Sequence, residues 1–173
     1  MNEGYFKAIY ESCYQVLYRV AFGITRNSEA AEDLCQEAFI KLYQKNMSFP
    51  NQDEARFWLI RVVKNASLNY AKRKEREKNA YQRSFHEAPV YSYSGAEILE
   101  KQEDAVSVKE ALEKLPEKLR IVIILKEYGE LNYKEIGRAL GISEGNVKVR
   151  AYRARERLIK LMKEFDNTNK EGR

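Results

Sequence analysis

The sequence predicts an all-α protein of two small helical domains joined by a flexible linker. Three observations carry that reading. Apolar residues recur at spacings of three and four along most of the chain, the period of a helix with one buried stripe. Only three prolines and eight glycines punctuate 173 residues, too few for a turn-rich β protein. Regular patterning fades between about 80 and 104 and then resumes, and a patternless stretch of that length inside one compact domain is uncommon.

In YFKAIYESCYQVLYRVAF, residues 5–22, the stripe is Phe6, Ile9, Tyr10, Cys13, Leu17, Val20 and Ala21. Gly23 and the following T-R-N-S end that helix. Ser28 is positioned to cap a second helix over about 28–45, with Glu29, Glu32 and Asp33 suited to the positive end of its dipole. It buries Ala31, Leu34, Cys35, Ala38 and Leu42 and turns Asp33, Gln36, Glu37 and Lys41 outward. After Pro50, Gln52 or Asp53 caps a third helix, expected over about 54–78. Phe57, Trp58, Ile60, Val62, Val63, Ala66, Leu68 and Tyr70 are its apolar positions; Arg61, Lys64, Asn65, Asn69, Lys72 and Arg73 are polar. Trp58, between Phe57 and Leu59, suits either a core place or an exposed stacking role.

Helical pattern returns at about 105 with Ala105, Val108, Ala111, Leu112 and Leu115, and Pro116 sits where a further helix starts. Leu119 and Val122 to Leu125 form the most apolar run, on a helix expected to end at Gly129. LNYKEIGRALGISEGNVKVRAYRARERL, residues 131–158, then has the form of a helix-turn-helix. Asn132 caps its first helix, which turns Ile136, Ala139 and Leu140 inward. Gly141 supplies a left-handed turn, Ile142 plugs the junction and Ser143 caps the second helix. Val147, Ala151, Ala154 and Leu158 face inward on that second helix. Outward lie Asn146, Lys148, Val149, Arg150, Tyr152, Arg153, Arg155 and Arg157. A helix of this kind fits a major groove, with arginine and asparagine reading base edges.

Charge is segregated. Residues 56–83 carry nine Lys/Arg against two Asp/Glu, and residues 143–163 carry seven against two. Between them, residues 84–117 carry three against eight. Two basic blocks divided by an acidic one point to two separate polyanion contacts, since each clustered cation releases counterions from phosphate.

Other function classes find little support. Cys13 and Cys35 lack metal-ligand spacing and read as core thiols, and His86 has no second ligand near it. No phosphate loop, nucleophile elbow or zinc helix occurs, so neither a cofactor nor an enzymatic activity is expected. No apolar run approaches the ~18 residues of a membrane span, and MNEGYFKAIYES has no signal-peptide pattern, so a cytoplasmic place is expected.

Three stretches carry a resemblance. AEDLCQEAFIKLYQK (31–45), ARFWLIRVVKNASLNYAKRK (55–74) and LPEKLRIVIILKEYGELNYKEIGRALGISEGNVKVRAYRARERL (115–158) closely resemble the extracytoplasmic-function group of bacterial sigma-70 factors. The resemblance implies region 2 over 1–78, a linker over 79–104, region 4 with its helix-turn-helix over 105–163 and a tail over 164–173. It implies that Asp33, Gln36, Glu37 and Lys41 face the coiled coil of the polymerase's largest catalytic subunit. Region 4 would reach the polymerase flap. The −10 element would be read and melted by Trp58, Arg61, Lys64, Asn65, Asn69, Lys72 and Arg73, with aromatic and cationic groups holding unstacked bases. The −35 element would be met by Ser143, Glu144, Asn146, Lys148, Val149, Arg150, Arg153 and Arg155. The chain departs from the family at Asn69, where aspartate is common, and at Asn146 and Val149, where the usual pattern is G-T-V-K-S-R; these positions bear on base preference. The resemblance further implies a factor monomeric when free, with an anti-sigma factor, membrane-bound in some relatives, as a possible partner. The acidic linker would thread polymerase channels as a nucleic-acid mimic. The alternative is a conventional helix-turn-helix regulator, dimeric on duplex DNA without polymerase.

Overall fold

The computed structural model describes residues 2–84, 108 and 110–171. Three long helices open the chain: α1 (Glu3–Thr25), α2 (Ser28–Gln44) and α3 (Gln52–Ser84). A short helical segment, α4 (110–114), leads to α5 (Glu117–Ile123), which runs on as a π-helical turn, Ile124–Tyr128. Then come α6 (Tyr133–Leu140) and α7 (Glu144–Glu171). No strand occurs among the described residues. Residues 85–104, most of the expected linker, lie outside them, as does His86.

The helix starts show local chemistry winning over the first reading. Asn27, not Ser28, caps α2: its Oδ1 accepts the Ala30 N–H at 2.7 Å. Asn51, not Gln52 or Asp53, caps α3, accepting the Glu54 N–H at 2.9 Å. In each case a short amide side chain sits one residue before the expected cap and satisfies an otherwise orphaned N–H. Helix α3 continues beyond 78 to Ser84 because its polar end is made of good helix formers. Arg73–Glu77 (3.7 Å) and Lys74–Glu77 (2.9 Å) pairs brace it one turn apart. Helix α7 likewise passes 163, the expected end of the second domain, and reaches Glu171.

The first three helices form a bundle around Ile9, Cys13, Leu17, Val20, Leu42, Leu59, Ile60 and Val63. Tyr10, expected inside, is 40% exposed and instead packs at the rim against Phe39, ring centres 4.8 Å apart. Leu34 is half-buried. Cys13 and Cys35 are buried free thiols, and burial pushes Cys35 up to about 12. Neither should alkylate at about pH 8 until the chain unfolds, because the thiolate is the nucleophile; a mass shift on the native protein would contradict this.

The same apolar cluster continues into the second half of the chain through Val122, Ile124, Leu125, Leu131, Ile136, Ala139, Val147 and Ala151. A smaller cluster of Leu112, Leu115, Ile123 and Ala154 closes α4 and α5 onto α7. The π-helical turn ends where the Gly129 N–H bonds back to Ile124 O at 3.1 Å. A Cβ at Gly129 would stand 2.7 Å from Leu125 O, which explains the glycine.

Asn132 and Glu135 form a reciprocal capping box at the start of α6. Gly141 takes φ 69° at its end, as the turn demands. Gly137, whose role the sequence did not announce, sets how close the two helices come: a Cβ there would meet Ile142 O at 2.7 Å. Gly137→Ala should therefore cost about 1–3 kcal/mol despite alanine's better helix propensity, read as a lower thermal midpoint. An unchanged midpoint would show that the turn can yield.

Candidate polymerase and nucleic-acid interfaces

Helix α2 turns its polar residues to one side. Asp33, Gln36, Glu37 and Lys41 are all exposed, one and two turns apart, and Lys41 pairs with Glu37 at 3.5 Å. That pair is exposed and so contributes only tenths of a kcal/mol. Beside it runs a shallow groove of about 260 Å³ between α2 and α3. Asp33, Leu34 and Glu37 line one wall; Tyr70, Arg73 and Lys74 line the other. The surface offers carboxylates on a rigid helix, suited to a partner helix carrying arginine.

On α3 the seven predicted DNA residues divide into three groups. Trp58, Arg61, Asn65, Asn69 and Lys72 follow one another at spacings of three and four and so share one outward stripe. Arg61, Asn65, Asn69 and Lys72 are exposed, while Trp58 is half-buried, its ring 6.0 Å from Phe49. Trp58 therefore occupies both of the places open to it, packed on one side and presented on the other. Arg73 falls toward the α2 groove, where its guanidinium stands 5.6 Å from the Tyr70 ring centre.

Lys64 turns the other way. It is 6% exposed, and its Nζ donates to Ala139 O at 2.8 Å. That carbonyl belongs to the last turn of α6, where carbonyls lack partners and the helix dipole is negative. Burial, with the neighbouring Arg61 charge, lowers the Lys64 pKa. In this arrangement Lys64 is spent on α6 and is not offered to solvent. Sequence reasoning also missed Arg138 and Arg56. Arg138 reaches from α6 to 4.6 Å from the Phe57 ring centre, beside the α3 stripe. Arg56 pairs with Glu130 at 3.0 Å. No local pattern could have revealed contacts between residues some 75 positions apart.

The helix-turn-helix presents α7 as expected. Ser143 Oγ accepts the Asn146 N–H at 3.2 Å. Asn146, Val149, Arg150 and Arg153 share one side of the helix, with Val149 46% exposed and Arg150 half-buried. Lys148 and Arg155 lie on the other flank and have partners within the chain. Lys148 pairs with Glu144 at 2.8 Å. Arg155 donates to Tyr133 Oη at 3.2 Å and approaches Glu127 at 3.5 Å. Tyr152, 63% exposed, adds an aromatic ring to the outward surface.

Two cationic helices, on α3 and α7, and an acidic face on α2 are thus separate surfaces of one helical body. Residues 9–77 match the family described as Sigma-70 region 2, and residues 105–158 match Sigma-70, region 4. The ECF RNA polymerase sigma factor SigW of Bacillus subtilis (strain 168) is 32% identical over 165 residues, covering 91% of this chain and 84% of that protein. The chain belongs to the extracytoplasmic-function sigma-70 factors. ECF sigma factor SigM of the same organism is 30% identical over 88% of this chain and 92% of its own. Among solved structures, the sigma factor RpoE in complex with the anti-sigma factor NepR from Bartonella quintana superposes with TM-score 0.69. It is 25% identical, with 91% of this chain and 96% of that one covered. CnrH in complex with the cytosolic domain of CnrY, at 22% identity and TM-score 0.66, shares the fold. This sigma factor is a transcription initiation factor, and the reading as a conventional helix-turn-helix regulator gives way.

Proposed function

We propose that this sigma factor docks on core RNA polymerase through Asp33, Gln36, Glu37 and Lys41 of α2, holds the −10 element on the α3 stripe and meets the −35 element with α7. The division is region 2 (1–78), linker (79–104) and region 4 (105–163), with α3 running on to Ser84 through the first residues assigned to the linker and residues 164–171 continuing α7 rather than forming a separate tail. The observation that carries the reading is the placement of Arg61, Asn65, Asn69 and Lys72 along one exposed face of a single rigid helix, with Trp58 at its base. Cations track phosphate there, and an aromatic edge can stack a base lifted from the duplex. The chain itself moves no bonds; its part is binding, placement and strand capture, in the cytoplasm. An anti-sigma factor is a fitting partner class, since the structurally similar RpoE of Bartonella quintana was solved with one.

On α7 the geometry separates arginines that the sequence grouped. Arg153→Ala should weaken −35 duplex binding by roughly 1–3 kcal/mol and reduce the salt slope by about one. Arg155→Ala should do less, because its guanidinium is already engaged by Tyr133 and Glu127. Fluorescence anisotropy against a −35 duplex across a salt series checks both. Equal losses would place the contact face wrongly.

A further inference from the structure

Helix α7 carries an apolar side chain where a solvated helix face would place a polar one. Val149 is 46% exposed and stands opposite the buried side made by Val147, Ala151 and Ala154. A single exposed apolar residue is ordinary on a protein surface. The neighbours of this one set it apart. One turn before it on the same side is Gly145, and three residues after it is Tyr152, 63% exposed. Asn146 and Arg153, both exposed, flank the ridge.

Gly145 is not required by the chain's own packing. A Cβ placed on it would meet nothing within 4 Å among the described residues, whereas one on Gly137 would strike Ile142 O. Nor does a left-handed turn call for it, since Gly141 is the one glycine of positive φ among the described residues. Glycine weakens a helix relative to alanine. The use that remains is close approach of the backbone to another molecule.

A major groove offers one apolar group on its base edges, the C5-methyl of thymine; guanine, adenine and cytosine present donors and acceptors there. Set against valine, those polar groups would lose water and gain no partner. A methyl set against valine leaves water favourably.

We propose that Gly145 and Val149 form an apolar notch that seats the C5-methyl of one thymine in the −35 element, so that this factor prefers thymine at that pair. The proposal rests on the reading of α7 as the −35 contact and names the base it selects. Gly145 lets the base edge close on the helix, and Val149 packs against the methyl. Asn146 and Arg153 hold neighbouring base edges and phosphate. Tyr152, its hydroxyl bonded to Glu156 one turn on, bounds the notch on its C-terminal side.

The test uses holoenzyme, the full chain on core RNA polymerase, at a promoter that it transcribes. Each thymine of the −35 element, on either strand, is replaced in turn by deoxyuridine, which keeps the base pair and removes only the methyl. Competition binding reads the affinity of each duplex. One thymine should stand out, its uracil form bound about fourfold more weakly, the value of one buried methyl, while the others change by less than about 1.5-fold. Val149→Ala holoenzyme should bind the thymine promoter about fourfold more weakly and no longer distinguish thymine from uracil at that pair. Gly145→Ala should leave the thermal midpoint of the free chain equal or higher, yet weaken binding to the thymine promoter more than to its uracil form. An element with no discriminating thymine overturns the proposal. So does a thymine preference that survives Val149→Ala, since another group then reads the methyl. Unchanged binding by Gly145→Ala overturns the notch. If the unaltered chain directs no promoter-specific transcription, the functional reading falls and the proposal with it; with transcription intact, the uracil scan judges the proposal by itself.

Discussion

Asp33→Ala combined with Glu37→Ala is expected to weaken binding to core RNA polymerase about 30-fold while leaving the fold intact. Both side chains are exposed on α2, so their loss opens no cavity and strands no buried partner within the chain. Lys41 loses its 3.5 Å pairing with Glu37, but an exposed pair of this kind contributes only tenths of a kcal/mol. The cost falls on the interface, where truncating carboxylates opposite a partner's arginines leaves those cations unpaired. About 2 kcal/mol is the order expected for two such groups, and each 1.4 kcal/mol is tenfold in affinity. Titration of labelled chain with core enzyme reads the change, with circular dichroism and the urea midpoint as controls. Affinity within twofold of the unaltered chain would move the docking face away from α2.

The second large effect is on stability. Leu17→Ala should cost about 2–5 kcal/mol, the range for a leucine truncated in a closed core. Leu17 has no exposed surface and sits midway along α1, the helix that packs on α2, α3 and the Ile124–Tyr128 turn. Little can collapse into the space, because rigid helices surround it. Against the total stability of about 5–15 kcal/mol usual for a domain, this is a large share. The urea midpoint should fall with an unchanged slope. Core-polymerase affinity, measured where the variant remains folded, should stay put. The two variants thereby separate surface from scaffold.

The sequence read the helices well because each buries a stripe, and a period near 3.6 survives without knowledge of neighbours. The helix-turn-helix was the clearest case: Asn132, Gly141 and Ser143 hold the places expected of them. Ends were less legible. Asn27 and Asn51 each took a cap from the residues after them, since a cap is decided by one hydrogen bond rather than by a pattern. The end of α3 ran long because ion pairs and propensity sustain a helix that has no core to face. Gly137 gave no signal, since its reason is a carbonyl five residues ahead that only the turn brings near.

The candidate surfaces were legible as residue types and less so as faces. Helical spacing identifies Arg61, Asn65, Asn69 and Lys72 as one stripe. It cannot tell that Lys64, adjacent on the same wheel, is claimed by α6, because that partner lies 75 residues on. The same holds for Arg155, whose partners Tyr133 and Glu127 come from earlier elements. Counting cations found the two blocks; only packing distinguishes cations held within the chain from those left for phosphate. Asn146 and Val149, the departures from the common family pattern, stand on the outward side of α7, where a change of base preference would be felt.

The most direct measurement adds the purified chain to core RNA polymerase on fragmented genomic DNA from the organism of origin and sequences the transcripts from their 5′ ends. The account predicts discrete start sites absent with core alone, sharing upstream elements near −35 and −10. These sites should be lost with Asp33→Ala/Glu37→Ala and weakened with Arg153→Ala. Start sites no different from those of core alone, together with tight binding of the free chain to duplex DNA as a dimer, would contradict it.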